Sequence, residues 1–312
     1  MTTPRRDFLK HSSFIAGGLF LTSPIETLAS FSKGTATDET NKLSIVHTND
    51  LHNQLDPLEK YSTLGGLKNI RHHLKHLICG SLLLDAGDFL DDSASFDDHC
   101  EMIGAMNRMG YSAGTIGNRE LANGEAYLAS LLPYINFPLV NCNYDFTNPD
   151  LKEKILPYVI RQSGKFRIGI TGIGPDVHVN GVTCQHPYAA ANKLATWLKD
   201  EKSCDLVICL SHIGYNTQSA TANNTDFARA STSIDVIISG HQQFLSNGLL
   251  VCKNTNKEAV IVSHGGEGGI VVKQLIFTFD ENKKRRNLSF RNFVPGLPSG
   301  ISAYTAIRKM NA

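Results

Sequence analysis

Short runs of apolar residues, each about as long as a β-strand and each followed by polar residues, recur along the chain. Five runs have this form: 43–50, 81–88, 111–116, 205–212 and 234–241. The last two are almost continuously apolar, which is typical of strands that are buried on both faces. The pattern therefore predicts several buried strands with polar side chains at their carboxyl ends.

Segments with helical spacing lie between these runs. Apolar residues recur every three or four positions from Gly66 to Leu77, which predicts a helix with His72, His73 and His76 on its solvated faces. Further helices are predicted over 102–109, 127–135 and 189–201. The methionines of the first of these three are expected in the core, where this flexible side chain usually packs.

The remaining apolar segments predict more strands. Residues 159–174 predict a hairpin that turns at Ser163-Gly164-Lys165, and the alternation from Val271 to Phe279 predicts a strand with one face in solvent. No internal repeat and no Gly/Ser-rich or Pro-rich linker divides the chain. We therefore expect one domain over residues 43–294, followed by a C-terminal tail over residues 295–312.

The composition agrees with a folded globular protein. The 312 residues are 41% hydrophobic and 19% charged, and the formal net charge is +1. So small a charge argues against dedicated nucleic-acid binding, which usually goes with a basic surface. The seven cysteines form no CxxC pair, so a zinc–thiolate cluster is not expected, and no disulfide is assigned.

The N-terminal residues predict an export signal rather than part of the fold. Arg5 and Arg6 precede the apolar run Phe14 to Leu21, and small residues before position 30 resemble a cleavage site. The run is shorter than the ~20 residues that a transmembrane helix needs. Paired arginines indicate the twin-arginine export route. We expect a signal peptide over 1–29, a linker over 30–42, and a periplasmic or otherwise exported protein without a membrane anchor.

Polar side chains at the predicted strand ends form a coherent set of metal donors. They are Asp50, His52, Asp88, Asn118, His212, His241 and Gln243. In α/β sheets, ligand sites gather beyond the carboxyl ends of strands, so we expect these residues to converge although they are far apart in sequence. Any one of them could instead cap a helix or bind a loop. The whole set in this order favours a site.

The chemistry of these donors indicates the metals that they can hold. Imidazole, carboxylate and amide donors without thiolates suit Mn²⁺, Zn²⁺ or iron better than copper(I), and imidazoles disfavour an all-Mg²⁺ site. Seven ligands exceed the four of a tetrahedral zinc site but suit two metal ions that share a carboxylate. Two ions roughly 3.5–4 Å apart can clamp a phosphoryl group during in-line displacement. The donor set therefore predicts two divalent metal ions (Mn, Zn or Fe) as cofactors.

The motifs that contain these residues resemble the five blocks of calcineurin-like metallophosphoesterases. The blocks are Asp50-Leu-His52, Gly87-Asp88, Gly117-Asn118, Ser211-His212 and Gly240-His241-Gln-Gln243. Within that superfamily, His47-Thr-Asn-Asp-Leu-His52, Met106-Asn-Arg-Met-Gly-Tyr111 and the late glycine-rich turn resemble the N-terminal catalytic domain of the 5′-nucleotidase family. The similarity covers about residues 43–279.

This resemblance implies a fold, a ligand set and a reaction. The fold is α/β, a four-layer αββα sandwich of two mixed sheets flanked by helices. The implied ligands are Asp50, His52 and Gln243 for one metal ion, Asn118, His212 and His241 for the other, and Asp88 as the bridge. The implied reaction is hydrolysis of a phosphate ester by attack of a metal-bridging hydroxide, on a small phosphorylated substrate such as a nucleotide.

The block around Asn118 departs from the family pattern. The family's histidine after this asparagine is Arg119 here, and its partner aspartate is Ala122, so the family's His–Asp dyad is absent. We take Asn118 and Arg119 as the catalytic candidates. Arg119 can hold a phosphate or sulfate oxygen by charge-assisted hydrogen bonds, but a guanidinium holds its proton too tightly to be a general acid. The alternative is a surface salt bridge from Arg119 to Glu120 or another acid.

Two other features leave alternatives open. Where relatives usually have a glycine and a small hydroxyl residue, this chain has Asp91-Asp92-Ser93, either a solvated acidic loop or a charge that Arg119 balances. His264, beside the glycine-rich turn 265–269, is a candidate for supporting the ligands or contacting substrate, and His47 is expected in the core. The turn does not follow a first strand, so a dinucleotide-binding motif is not predicted.

The leading hypothesis is an exported, dinuclear metal-dependent phosphoesterase of the 5′-nucleotidase type. The sequence stops after the catalytic-type domain, so we expect no nucleotide-specificity domain of the family kind. One alternative is a thiosulfohydrolase-like sulfur-ester hydrolase. Another is a weakly active or non-catalytic metal-binding partner of a separately encoded nucleotidase C-terminal domain protein.

Overall fold

A computed structural model describes residues 41–61, 63–215 and 222–311. The predicted signal peptide and the predicted linker up to residue 40 lie outside the described residues. In the part of the chain that is described, no helix combines the length and the hydrophobicity that crossing a membrane requires.

The described residues form both β-strands and α-helices. The strands are β1 (Lys42–Thr48), β2 (Leu82–Asp85), β3 (Ala113–Thr115), β4 (Leu139–Val140), β5 (Tyr144–Phe146), β6 (Ile155–Leu156), β7 (Tyr158–Ser163), β8 (Phe166–Ile173), β9 (Val182–Cys184), β10 (Leu206–Ser211), β11 (Val236–Ser239), β12 (Leu249–Lys253), β13 (Ala259–His264), β14 (Val272–Phe279) and β15 (Arg285–Phe293). The α-helices are α1 (Leu67–Ile78), α2 (Phe96–Met109), α3 (Glu125–Leu131), α4 (Pro149–Lys154), α5 (Pro187–Asp200), α6 (Asn224–Ala230) and α7 (Ala303–Met310).

Two mixed sheets make up the centre of the fold. The first has seven strands in the order β15-β14-β1-β2-β3-β4-β6, and the second has six in the order β12-β13-β11-β10-β8-β7. Strands β1, β2, β3, β4 and β6 run parallel, as do β8, β10, β11 and β13, while the other strands pair antiparallel. The carboxyl ends of the parallel strands in each sheet therefore share one edge.

The sheets face each other, and helices cover their outer faces. Leu43 and Ile45 of the first sheet belong to one buried cluster with Ile170 and Ile208 of the second. The helices α1 and α2 pack on the opposite face of the first sheet, and α5 and α6 on that of the second. Each fully buried side chain of this size contributes about 1.5–3 kcal/mol through the hydrophobic effect. The four-layer αββα sandwich is thereby confirmed.

Local sequence explains where the helices begin and end. Ser95 and Asp98 form a capping box at the start of α2, and Gly110, with a left-handed backbone, ends it. The methionines of α2 are buried, as predicted, and His72, His73 and His76 on α1 are exposed, as predicted. The predicted C-terminal tail contains α7, whose Ile307 is fully buried.

The prediction of one solvated face for residues 271–279 holds only in part. Ile276 and Thr278 are half-buried between buried neighbours, but Lys273 is fully buried and Gln274 is 6% exposed. The reason is that both faces of β14 are covered, since Val272 packs in the cluster on the helix side of the sheet and Leu275 in the cluster between the sheets. The alternation places Lys273 on the same face as Leu275 and Phe277, which pack against the second sheet.

Candidate metal centre

The loop after β1 and the loop after β2 continue to pair beyond the ends of their strands. The amide N–H of Asp50 donates to the carbonyl of Gly87 at 3.0 Å, and that of His52 donates to the carbonyl of Asp88 at 3.0 Å. Asp50, His52 and Asp88 have left-handed backbones, with φ of 51°, 47° and 53°. Such conformations cost non-glycine residues of order 1 kcal/mol or more and are concentrated at functional sites. The pairing places two carboxylates and an imidazole side by side.

The predicted donors from both sheets converge at this edge. Candidate ligand atoms of Asp50, His52 and Asp88 all lie within 4.8 Å of one another, and so do those of Asp88, His212 and His241. Asp88 belongs to both groups, which is the arrangement that a bridging carboxylate requires. Asp50, His52 and Asp88 follow strands of the first sheet, whereas His212 and His241 follow strands of the second.

The two amide ligands predicted from the sequence differ in their placement. The Oδ1 atom of Asn118 lies 2.9 Å from Nδ1 of His241, so Asn118 is part of the cluster. Gln243 is exposed and lies in the irregular segment between β11 and β12. That these residues bind metal remains a prediction.

His212 has a nitrogen that fits a metal ion. Its Nδ1 faces the carbonyl oxygen of Ala86 at 2.7 Å, which fixes the tautomer with a proton on Nδ1 and leaves the lone pair on Nε2. Nε2 is buried and lies 3.0 Å from Oδ2 of Asp88 and 3.8 Å from Oδ1 of Asp50. A buried imidazole nitrogen that points at two carboxylates is the geometry of a metal ligand.

Two carboxylates and an imidazole are held together in the interior, and burial and mutual charge shift their pKa values. Burial opposes the charged form of His212, but the carboxylates of Asp88 and Asp50 outweigh it and raise the pKa of His212 to about 10. Burial likewise opposes the charged form of Asp88, yet His212 and His52 hold its pKa below the usual range. Burial raises the pKa of Asp50. The cluster thus concentrates negative charge that a cation, whether a proton or a metal ion, must balance.

Glu120 anchors the loops that carry the ligands, a role that sequence reasoning missed. Its buried carboxylate accepts hydrogen bonds from the backbone N–H groups of Asp88 (3.0 Å), Gly117 (2.7 Å) and Leu90 (2.9 Å). These donors belong to the loops after β2 and β3. A single side chain therefore fixes both loops. Its position three residues after Gly117 is the only feature of the sequence that could have indicated this role.

Asn49 supports the cluster from another side and was also missed. Its Nδ2 donates to Oδ2 of Asp50 at 2.7 Å, and its Oδ1 accepts from the N–H of Gly265 at 3.0 Å. The other carboxylate oxygen of Asp50 accepts the backbone N–H of His241 at 3.0 Å. Asp50 is therefore held by groups from both sheets.

Two glycines let the loops approach this closely. A Cβ atom on Gly117 would lie 2.2 Å from Oδ1 of Asp88 and 2.6 Å from Cδ2 of His212, and one on Gly87 would lie 2.9 Å from Nδ1 of His212. No real side chain tolerates contacts below 3.0 Å with buried groups. The glycine–asparagine and glycine–aspartate pairs of the sequence are therefore steric requirements of the cluster.

Arg119 lies beside the cluster and forms ion pairs with the acidic loop. Its Nη1 contacts Oδ2 of Asp91 at 2.9 Å and Oδ1 of Asp92 at 2.8 Å, and its Nε lies 3.7 Å from Oδ2 of Asp88. Its backbone N–H donates to Oδ1 of Asp88 at 2.9 Å. The salt bridge that the sequence left open is therefore formed with Asp91 and Asp92, since Glu120 is occupied by backbone donors. The acidic loop was predicted either to be solvated or to have its charge balanced by Arg119, and the structure favours the second alternative.

The two other histidines singled out in the sequence lie in the interior. His47 is fully buried with Nε2 2.7 Å from Oγ of Ser263, as expected of a core residue. His264 is also fully buried, its nitrogens face the carbonyls of Ser239 and Phe244, and burial lowers its pKa to about 4. A buried His264 supports neighbouring segments and does not reach substrate from the rim.

An open cavity of about 420 Å³ lies next to the cluster. It is lined by His52 together with acidic residues of the flanking loops and of α2, among them Asp56, Asp91 and Glu101. The cavity places one face of the candidate centre within reach of a small molecule from solvent.

A sandwich of two mixed sheets with carboxylates and imidazoles gathered at one edge defines a class of metal-dependent hydrolases. Residues 43–243 match the family of calcineurin-like phosphoesterases, and the chain belongs to this family. The description of this family, phosphoesterase, names enzymes that hydrolyse phosphate esters. The family resemblance that the motifs indicated is confirmed.

Proteins similar to this chain include a nucleotide phosphoesterase and 5′-nucleotidases. The trifunctional nucleotide phosphoesterase protein YfkN of Bacillus subtilis is 26% identical over 279 residues, which cover 77% of this chain and 18% of that protein. The 5′-nucleotidase of Vibrio cholerae is 28% identical over 229 residues, which cover 66% of this chain and 41% of that protein. A solved structure, the 5′-nucleotidase precursor from Thermus thermophilus, matches with a TM-score of 0.72 and 25% identity over 86% of this chain and 57% of that one. The chain thus spans less than half the length of the two curated relatives.

Proposed function

We propose that this chain is an exported, dinuclear metal-dependent phosphoesterase of the 5′-nucleotidase type that acts on small phosphorylated substrates such as nucleotides. The observation that carries the proposal is the convergence of Asp50, His52, Asp88, His212 and His241, with the buried Nε2 of His212 facing the carboxylates of Asp88 and Asp50. The nucleotide phosphoesterases among its relatives support the substrate class.

The donors divide naturally between two metal ions. Asp50, His52 and Gln243 hold one ion in this proposal, Asn118, His212 and His241 hold the other, and Asp88 lies between them. When bound, two such ions supply an activated water and Lewis-acid stabilisation of the charge that develops on the phosphoryl oxygens. The imidazole and carboxylate donors suit Mn, Zn or Fe.

The chain's own residues orient the substrate beside this centre. The guanidinium of Arg119 lies beside the carboxylate of Asp88 and in this proposal exchanges the carboxylates of Asp91 and Asp92 for phosphate oxygens. The side-chain amide of Asn118 is oriented by its contact with His241. Arg119 cannot donate a proton to the leaving group, so that proton comes from water.

The test combines metal content with turnover. The chain is loaded with Mn²⁺ or Zn²⁺, bound metal is counted by elemental analysis, and phosphomonoesters and phosphodiesters, nucleotides included, are assayed as wild type and as Arg119→His. Two ions per chain with turnover of phosphate esters support the proposal. Absence of bound metal overturns it. A His212→Ala variant is the matched control, because it removes a donor from the cluster and leaves Arg119 in place.

A second candidate is the non-catalytic or weakly active metal-binding partner. The ion pairs of Arg119 with Asp91 and Asp92 favour it, because they leave the residue at the position of the family's histidine engaged with acids. Two bound ions without turnover, and activity gained with Arg119→His, would support this candidate. Association with a separately encoded C-terminal domain protein stays a prediction for a binding assay, and sulfur-ester hydrolysis stays a prediction for a sulfur-ester substrate.

Export is tested separately. In this proposal, the twin-arginine signal directs the chain to the periplasm and is removed near residue 29. The mass of the mature protein recovered from the exported fraction measures this cleavage. Substitution of Arg5 and Arg6 by lysine is expected to retain the precursor in the cell, and unchanged export of that variant contradicts the twin-arginine route.

A further inference from the structure

The segment 244–248 connects the candidate metal centre to β12 and has no regular secondary structure. It follows directly on His241 and Gln243, so its position determines where those side chains lie. Because the segment belongs neither to a helix nor to a strand, most of its carbonyl groups need partners other than a regular backbone ladder.

Side chains from distant parts of the chain supply those partners. Nδ2 of Asn311, just after α7, donates to the carbonyl of Leu245 at 2.7 Å. Nδ2 of Asn292, on β15, donates to the carbonyl of Asn247 at 2.9 Å. Elements that follow the segment by 45 residues or more therefore fasten it by its main chain.

Lys273 makes the central attachment. Its Nζ donates to the carbonyl of Gly248 at 2.7 Å and to that of Ser246 at 3.2 Å, and its described hydrogen bonds go to neutral groups only. The residue is fully buried, and its Cα is paired with that of His47 across β14 and β1. Burial lowers the pKa of Lys273 to about 7. Charged or neutral, the nitrogen keeps the two N–H donors that these carbonyls need.

His264 adds a further contact at the near end of the segment. Its Nε2 faces the carbonyl of Phe244 at 3.1 Å, and its ring stacks on the ring of Phe244 with centroids 4.4 Å apart. Consecutive carbonyls from Phe244 to Gly248 thus all face side chains of the domain interior or of its C-terminal helix. The attachment begins three residues beyond His241.

We propose that Lys273 is a positioning residue of the metal centre, which fixes the segment 244–248 and through it His241 and Gln243. The proposal rests on the proposed function only in taking those two residues as metal ligands. Lys273 touches neither metal nor substrate and acts through the main chain of the segment. Partners that orient the ligands of a metal typically change metal affinity by about 10–100-fold when they are removed.

The test uses the full chain as Lys273→Met, which keeps the length of the side chain and removes the donors. The matched control is Arg285→Met, because Nη2 of Arg285 also reaches from β15 to a carbonyl, that of Ala259, at 3.1 Å. Ala259 begins β13, so it lies about 17 Å from His264 at 3.3 Å per residue, at the opposite edge of the sheet. Mn²⁺ affinity is measured by titration, and amide hydrogen exchange is measured over residues 241–248.

The expected result is Mn²⁺ binding weakened by about tenfold in Lys273→Met, with faster exchange over 241–248, and neither change in Arg285→Met. Unchanged affinity and exchange in Lys273→Met overturns the proposal, and so does an equal loss in both variants, which reports general destabilisation. If the wild type binds no Mn²⁺, the proposed function fails, and the exchange comparison alone then decides whether Lys273 holds the segment.

A second variant keeps the proposal testable if Lys273→Met does not fold. Asn311 is exposed, so Asn311→Ala is expected to fold normally while it frees the carbonyl of Leu245. Faster exchange over 241–248 and Mn²⁺ binding weakened by about threefold are expected, since one of the neutral attachments is lost. Exchange and affinity equal to those of the wild type contradict a role for these attachments in placing the ligands.

Discussion

The ion pairs of Arg119 make a prediction about substrate binding that can be worked through quantitatively. Nη1 of Arg119 is shared between Asp91 and Asp92, and a phosphate must displace at least part of this contact to reach the guanidinium. The side chain of Asp92 is 53% exposed, so its pair with Arg119 contributes only about 0–1 kcal/mol. Asp92→Asn therefore releases at most about 1 kcal/mol for phosphate binding, a factor of up to about five.

Removal of the guanidinium has a larger and opposite effect. A hydrogen bond between charged groups is worth about 1.5–3 kcal/mol, so Arg119→Met is expected to weaken phosphate binding by about 10–150-fold. The stability of the fold changes little, by about 1 kcal/mol, because the ion pairs are partly exposed. The inhibition constant of inorganic phosphate measures both effects, with an aryl phosphate as the substrate.

The control for these variants is Asp97→Asn, which removes the same charge from an exposed position in the first turn of α2. A general electrostatic effect would lower the inhibition constant equally for Asp97→Asn and Asp92→Asn. The reasoning is refuted if Arg119→Met binds phosphate as tightly as the wild type. It is also refuted if Asp92→Asn weakens binding, since release of Arg119 can only help an anion.

Three further predictions concern the leaving group, the packing of the centre and pH. Because Arg119 cannot protonate a leaving group, kcat/KM for aryl phosphates is expected to exceed that for alkyl phosphates, and equal rates in a substrate panel would contradict this. Gly117→Ala places a Cβ 2.2 Å from Oδ1 of Asp88 and is expected to weaken Mn²⁺ binding in a titration by at least about tenfold, while Gly104→Ala in α2 leaves it unchanged. The pKa of Lys273 is lowered from 10.5 to about 7 on folding. Between these two pH values the unfolded chain binds more protons than the folded chain, so the free energy of unfolding rises with pH. From pH 7 to pH 9, urea denaturation should show the free energy of unfolding of the wild type rising by about 2–3 kcal/mol relative to that of Lys273→Met, and a constant difference between the two would argue against a lowered pKa.

Strand ends were the part of the site that the sequence predicted best. Each apolar run that ends in a polar residue predicts one strand from local sequence alone. The family motifs then indicate which strand ends lie at the same site. Asp50, Asp88 and His212 could therefore be brought into one cluster without any knowledge of the sheet order. The same local signals predicted the helices, since Met102 and Met106 recur at the spacing of a buried face.

The supporting groups could not be predicted because their partners are backbone atoms of distant segments. Nothing about the residue type of Glu120 indicates that it accepts three N–H groups from two different loops. No role was predicted for Lys273, because alternation along one strand does not reveal what packs on its two faces. The face of β14 that carries Lys273 packs against the second sheet, and this packing buries the lysine.

The distribution of the donors over both sheets has a consequence for how the protein is assembled. Asp50, His52 and Asp88 follow strands of the first sheet, while His212 and His241 follow strands of the second. If these residues bind metal as proposed, a chain in which the two sheets have not packed together would present only part of the ligand set. Bound metal per chain would then measure the fraction of molecules in a preparation in which the two sheets have packed correctly.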